Sequence, residues 1–260
     1  MNLHAQYFES QTKSLTPKKN LVILHGLLGS GDNWKTIAQK SSIDRDVYCL
    51  DLPNHGLSDD LEFFDYSSLA QTVIDFIKDN DLKNCTLLGH SMGGKVAMQL
   101  AHDAPELIEK LIVVDIAPKH YENRHQTIFN AIANLDLTQI TQRKQADQIL
   151  SNGIIEMGVR QFILKSLSKN KTTGLFEWLF NWQFLTNQYE KIADAPKLVN
   201  KIDAPTLFIK GELSDYLSAD DQLLILSKFT DSKARLIMGA GHWPHVEKQE
   251  VFMKELTRFL

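Results

Sequence analysis

Six continuous apolar, β-branched runs limit what this chain can fold into: LVILHG (21–26), VYCLDLP (47–53), CTLLGHS (85–91), KLIVVDIAP (110–118), PTLFIKG (205–211) and ARLIMGAGH (234–242). Runs without polar alternation are the mark of strands buried on both faces, as in a parallel sheet with helices on each side. Helical patterns lie between several of them. SSLAQTVIDFIKDN (67–80) places Leu69, Val73, Phe76 and Ile77 on one face, with acids and Lys78 on the other. The segment after Ser91 runs through Val96, Ala97 and Leu100, and Pro105 marks its end. Strand–helix alternation means βαβ units and a mostly parallel, doubly wound α/β sheet. At 260 residues, 43% of them hydrophobic, one large α/β domain can be filled.

The alternation breaks between 118 and 199. There the pattern turns helical, in HQTIFNAIANL (125–135), RKQADQILSNG (143–153) and GVRQFILKSL (158–167), with no buried-strand run. The core is therefore assigned to 1–117 and 200–260, and 118–199 to a mostly helical cap inserted over the sheet. Inside the cap, FEWLFNWQF (176–184) spaces Phe176, Trp178, Phe180, Trp182 and Phe184 by two, a strand period. An extended segment would carry them all on one face. That face is either packing between cap and sheet or the wall of an apolar substrate pocket, with Trp178 and Trp182 as its pocket residues.

The net charge is only −4 and the charges are spread along the chain, so no basic stripe offers itself to nucleic acid. The start, MNLHAQYFES, lacks the basic and apolar regions of a signal peptide. No apolar run approaches the ~20 residues that span a bilayer, so no membrane partner is expected. A cytoplasmic setting follows, in which Cys49 and Cys85, both inside apolar runs, stay as buried free thiols. No Cys/His spacing suggests a metal site. The expected partner is a small molecule, and the sequence is silent on oligomeric state.

Gly89-His-Ser91-Met-Gly93 is a weak signal alone and a sharper one in context, because CTLL precedes it and KVAMQLA follows it. A buried strand turning sharply into a helix pushes a serine Oγ out at the sheet edge. The alternative is a Ser that merely caps a helix in a Gly-rich turn. A serine hydroxyl needs a base. His90 lies in the turn itself and should point away from Oγ. His25 and His55 sit in Gly-containing loops that they more readily shape. His102 and His125 sit on helical patterns, His4 on the polar N-terminal segment, and His120 begins the insertion. His242, in Gly241-His242-Trp243-Pro244-His245 after the last strand, stands at the same sheet edge as Ser91. His245 is the second choice.

The order Ser…His, the His25-Gly26 pair after the first run, and the strings HGLLGSGDNW (25–34), NHGLS (54–58), GHSMGGK (89–95) and VVDIAP (113–118) resemble the YbfF-type esterases, small cap-bearing α/β-hydrolases. The resemblance covers nearly the whole chain. It implies an α/β-hydrolase fold and an esterase or thioesterase, with acyl-CoA among the thioesters, working through a Ser-His-Asp triad without a cofactor. Members of the wider superfamily carry the acid as G-x-x-D after the penultimate strand. This chain departs from that pattern, with Ser214 at the position and Asp215 one step on. Asp115, ending an apolar strand, is the favoured acid, since a buried carboxylate must find a partner. In the YbfF-type group the acid resembles this arrangement, with a serine such as Ser214 helping to hold the histidine. The oxyanion hole would use the backbone N–H groups of Leu27 and Met92. Two rivals remain. One is a lyase or C–C bond hydrolase gripping an anion with Arg124 or Arg160; the other is a non-catalytic binding protein on the same fold.

Overall fold

A computed structural model describes residues 1–12 and 19–260. Its main sheet has seven strands among the described residues: β1 (Ala5–Phe8), β2 (Asn20–Leu24), β3 (Asp46–Leu50), β4 (Cys85–His90), β5 (Ile108–Val114), β8 (Thr206–Gly211) and β9 (Ser232–Ile237). Their order is β1-β3-β2-β4-β5-β8-β9, with β1 antiparallel to β3 and the other pairings parallel. Each of the six apolar runs supplies one parallel strand. The helices that link them are α1 (Lys35–Ser41), α2 (Tyr66–Asp79) and α3 (Met92–Asp103), with α9 (Gln222–Lys228), α10 (Pro244–Glu247) and α11 (Gln249–Phe259) toward the C-terminus. No helix among the described residues is long and apolar enough to cross a membrane.

Period-2 alternation divides the strands between two cores. Val22 and Leu24 of β2 join α2 and α3 on one face, while Leu21 and Ile23 join Ile37 of α1 and Phe252 and Leu256 of α11 on the other. On α2, Leu69, Val73 and Ile77 are buried as their spacing requires, and Phe76 is partly so. The strand β9 differs from the sequence expectation. It lies at the sheet edge, and Leu236 is 52% exposed there, so an apolar run did not in this case mean burial on both faces.

Between β5 and β8 the chain forms α4 (Gln126–Ala133), α5 (Arg143–Leu150), α6 (Met157–Lys165), a hairpin of β6 (Leu167–Lys169) and β7 (Phe176–Trp178), then α7 (Trp182–Asn187) and α8 (Tyr189–Ala193). The aromatic stretch is thus not one strand. Extended backbone stops after Trp178, and Asn181 starts α7 by accepting the Phe184 N–H at 3.1 Å. Phe180 is buried, stacks on Trp178 at 5.1 Å and pairs with the backbone of His55.

The order β3-β2-β4 makes the chain reverse direction between β2 and β4, which is where doubly wound sheets hold ligands. The loops there are tied together by two buried histidines. His25 accepts the Leu52 N–H at Nε2 (2.9 Å) and donates from Nδ1 to the Gly26 carbonyl (2.8 Å). His55 accepts the Leu28 N–H at Nε2 (3.1 Å) and donates from Nδ1 to the Pro53 carbonyl (2.9 Å). The Leu28 carbonyl in turn accepts from Ser166 Oγ at 2.9 Å, so the loop after β2 is held from the sheet and from the insertion. Burial lowers the imidazoles from the ordinary 6.5, to about 4 for His25 and, with His25 beside it, to about 3 for His55. Above pH 6.5 both are neutral folded or unfolded. Below it the unfolded chain takes up protons that the folded chain refuses, so each histidine lowers stability by about 1.4 kcal/mol per pH unit until its folded value is reached. His55→Gln should therefore be less stable than the native protein at pH 7 but lose stability less steeply between pH 6.5 and 4. Urea midpoints across that range check this; parallel slopes would contradict it.

Candidate active site

Ser91 sits at the junction of β4 and α3 with φ 52° and ψ −120°, a conformation that costs a non-glycine residue about 1–3 kcal/mol. Its neighbours hold it there. The Ser91 N–H donates to the Val114 carbonyl at 3.0 Å, and its carbonyl accepts from Gly94 at 2.8 Å and Lys95 at 3.2 Å. The flanking glycines are a steric requirement. A Cβ on Gly89 would lie 2.2 Å from the Gly93 carbonyl oxygen, and one on Gly93 would lie 2.4 Å from that of His25. Strand β4 and the start of α3 are therefore pressed together against the loop after β2.

Asp115 follows β5 directly, with φ 53° and no solvent exposure. Three groups satisfy its carboxylate. The Gly211 N–H donates to Oδ1 at 3.0 Å, Ser214 Oγ donates to Oδ2, and His242 Nδ1–H donates to Oδ2 at 2.7 Å. Because a carboxylate only accepts, Nδ1 of His242 carries a proton, and in the neutral ring the lone pair is then on Nε2. Tyr216 stacks on the His242 ring at 3.8 Å and 20°, and His90 Nε2–H donates to the His242 carbonyl at 2.8 Å. Ring and backbone of His242 are thus both fixed. Ser91 and His242 line one cavity of about 210 Å³, together with Leu27, Phe162 and Trp243. A second cavity of about 30 Å³ is lined by Leu27, Ser91, Met92 and Lys95.

Met92 is the first residue of α3, so its N–H has no intrahelical acceptor. The Leu27 N–H meets no acceptor among the described residues. Both lie beside Ser91, at the positive end of α3.

Of the other sequence-derived residues, Arg124 lines the larger cavity, and the rest fall elsewhere. Asp215 is 79% exposed and pairs with Arg124 at 2.6 Å. Arg160 is taken up by Asp147 (2.7 Å) and by the carbonyls of Ile154 and Ile155, away from the Ser91 cavities. His245 is buried and stacked on Trp34 at 4.0 Å, outside both cavities, with burial lowering it to about 3. Trp178 and Trp182 line neither cavity and pack against the main core, so the wall expected of them is built from other side chains. Among the described residues no group of three His, Cys, Asp or Glu is placed to hold a metal ion.

Three residues in the site escaped the sequence reading. Tyr216 had no local signal. His125, which lines both cavities with its Nδ1 2.7 Å from Tyr189 Oη, looked like an ordinary helix residue; burial lowers it to about 4. Lys95 is buried and donates to the carbonyls of Ala193 (2.9 Å) and Asp194 (2.6 Å), and burial lowers it to about 7 despite the opposing pull of Asp194. A lone cation at the start of the apolar KVAMQLA helix was its available signal.

A family model of the alpha/beta hydrolase fold matches residues 19–249. This chain belongs to the α/β-hydrolase family. This α/β-hydrolase is 36% identical to the Escherichia coli protein named Esterase YbfF, over all of this chain and 98% of that one. It is 34% identical to the sn-1-specific diacylglycerol lipase ABHD11 of Mus musculus, over 92% of this chain and 80% of that one. Among solved structures, one titled "Marine microorganism esterase" superposes with a TM-score of 0.93 at 34% identity, covering 99% of each chain.

The His242 Nδ1 proton, shared with a fully buried carboxylate, should give a slowly exchanging resonance far downfield in the proton NMR spectrum. Asp115→Asn should remove it and Asp215→Asn should leave it in place. A resonance that survives Asp115→Asn contradicts the pairing.

Proposed function

We propose that this α/β-hydrolase cleaves carboxylic esters or acyl thioesters through an acyl-enzyme on Ser91. The observation that carries the reading is the buried Asp115–His242 hydrogen bond, with Ser91 on its strained turn facing the same cavity. The names of the similar proteins, an esterase and a lipase, support the same class of substrate.

In this reading Ser91 Oγ attacks the acyl carbonyl while His242 Nε2 takes its proton. The carbonyl electron pair moves onto oxygen, which is received by the Leu27 and Met92 N–H groups at about 2.7–4 kcal/mol for each donor. The intermediate collapses, the bond to the leaving alcohol or thiol breaks, and that group leaves with the His242 proton. Water repeats the sequence, giving the free acid and restoring Ser91. Asp115 keeps the imidazole in the tautomer that can accept, and stabilises the imidazolium; Ser214 and Gly211 hold Asp115 in place. No cofactor is called for, since nucleophile, base and oxyanion donors are all side chains or backbone. A cytoplasmic setting suits Cys49 and Cys85, which are free and buried.

Hydrolysis of p-nitrophenyl acetate tests the reading. Ser91→Ala should abolish turnover, and Asp115→Asn should lower kcat by up to ~10⁴, the effect of leaving a triad histidine in the wrong tautomer. Asp215→Asn should cost far less. Unchanged turnover in Ser91→Ala would overturn the mechanism, and the reverse ranking of the two aspartates would overturn the assignment of the acid.

A further inference from the structure

The two cavities that meet at Ser91 differ in size and in the catalytic group they touch. His242 lines the one of about 210 Å³ and not the one of about 30 Å³. Chemistry assigns a direction to each half of an ester. When the tetrahedral intermediate collapses, the leaving oxygen takes its proton from His242, so the leaving group must lie on the His242 side. The oxyanion is directed at the Leu27 and Met92 N–H groups. The acyl substituent is left with the remaining direction, and the small cavity, which shares Leu27, Ser91 and Met92, occupies it.

We propose that the small cavity is the acyl subsite and the large one the alcohol subsite, so that the preferred substrates are esters of short acyl groups with bulky apolar alcohols. This deepens the ester-hydrolase reading and rests on it. About 30 Å³ admits a substituent of roughly two or three heavy atoms, enough for acetyl or propionyl groups. The large cavity is faced by Ile128, Val159, Phe162 and Trp243, with Arg124, its guanidinium paired to Asp215, also on the wall; the mainly apolar lining suits an alkyl or aryl alcohol.

The walls of the small cavity resist expansion because their polar groups are spent on backbone. Lys95 Nζ donates to the carbonyls of Ala193 and Asp194, clamping the end of α8 onto α3. Tyr66 Oη donates to the Ile192 carbonyl at 2.5 Å. Tyr121 Oη accepts the Ala117 N–H at 2.8 Å and donates to the Tyr216 carbonyl. A longer acyl chain would have to part these pairs and leave buried donors and carbonyls unmatched, which is costlier than losing an exposed contact. Lys95 is therefore a positioning residue that sets the depth of the pocket.

Two substrate series separate the halves of the ester. In the first, p-nitrophenyl acetate, butyrate, hexanoate and octanoate keep the leaving group and lengthen the acyl chain. In the second, methyl, butyl, hexyl and octyl acetate, followed by acid release, keep the acyl group and lengthen the alcohol. kcat/KM should fall by about 100-fold along the acyl series, as overfilling a packed site requires. It should rise by about threefold per methylene over the first carbons of the alcohol series, as apolar burial requires. Ile192→Ala removes a wall of the small cavity and should raise the octanoate-to-acetate ratio by about tenfold. A flat or rising acyl series in the native enzyme overturns the subsite assignment whatever the variant does. Loss of turnover on every ester in both series would instead overturn the ester-hydrolase reading, and this assignment with it.

Discussion

A carboxylate without solvent exposure, Asp115, sets the terms for this end of the molecule. Removing such a group from water is tolerable only if its oxygens are met by donors, and leaving it short of one would cost several kcal/mol. The donors come from three places: the end of β8 through Gly211, the loop beyond it through Ser214, and the loop after β9 through His242. The carboxylate thus fastens the ends of three neighbouring strands, and the need to satisfy it places His242 on the cavity that Ser91 also lines.

His242 differs from the other imidazoles around the site in its partner. Burial lowers His25, His55, His90, His125 and His245 below the ordinary imidazole range, so five neutral rings surround or support the site. His242 is the imidazole that donates to Asp115. The neutral rings have structural work of their own. His55 and His25 hold the loops after β2 and β3, His90 holds the His242 backbone, and His245 stacks on Trp34. Trp34, from the HGLLGSGDNW string, thereby joins the loop after β2 to the segment that carries His242.

The sheet was legible because parallel strands buried on both faces must be continuously apolar, and all six apolar runs are strands, although β9 at the edge is largely exposed. The antiparallel β1, AQYF, was not legible: it is four residues long at an edge, and partial exposure leaves no apolar run. The aromatic spacing in 176–184 misled because a period of two marks a strand only where the backbone stays extended, and Asn181 turns it into a helix. The positions of Ser91 and His242 after strand ends, facing one cavity, were readable from the strand pattern. Asp115 was readable because burial demands a partner for it, whereas Asp215 meets Arg124 at the surface. Tyr216, His125 and the clamp made by Lys95 depend on contacts between segments far apart in the chain, which no local pattern records.

Mapping the site of covalent modification by a fluorophosphonate tests the central claim most directly. Such a probe reports on an activated serine and does not depend on knowing the substrate. The account predicts one labelled residue, Ser91, in the native protein and loss of labelling in His242→Ala. A label on another residue, or undiminished labelling of Ser91 in His242→Ala, would contradict it.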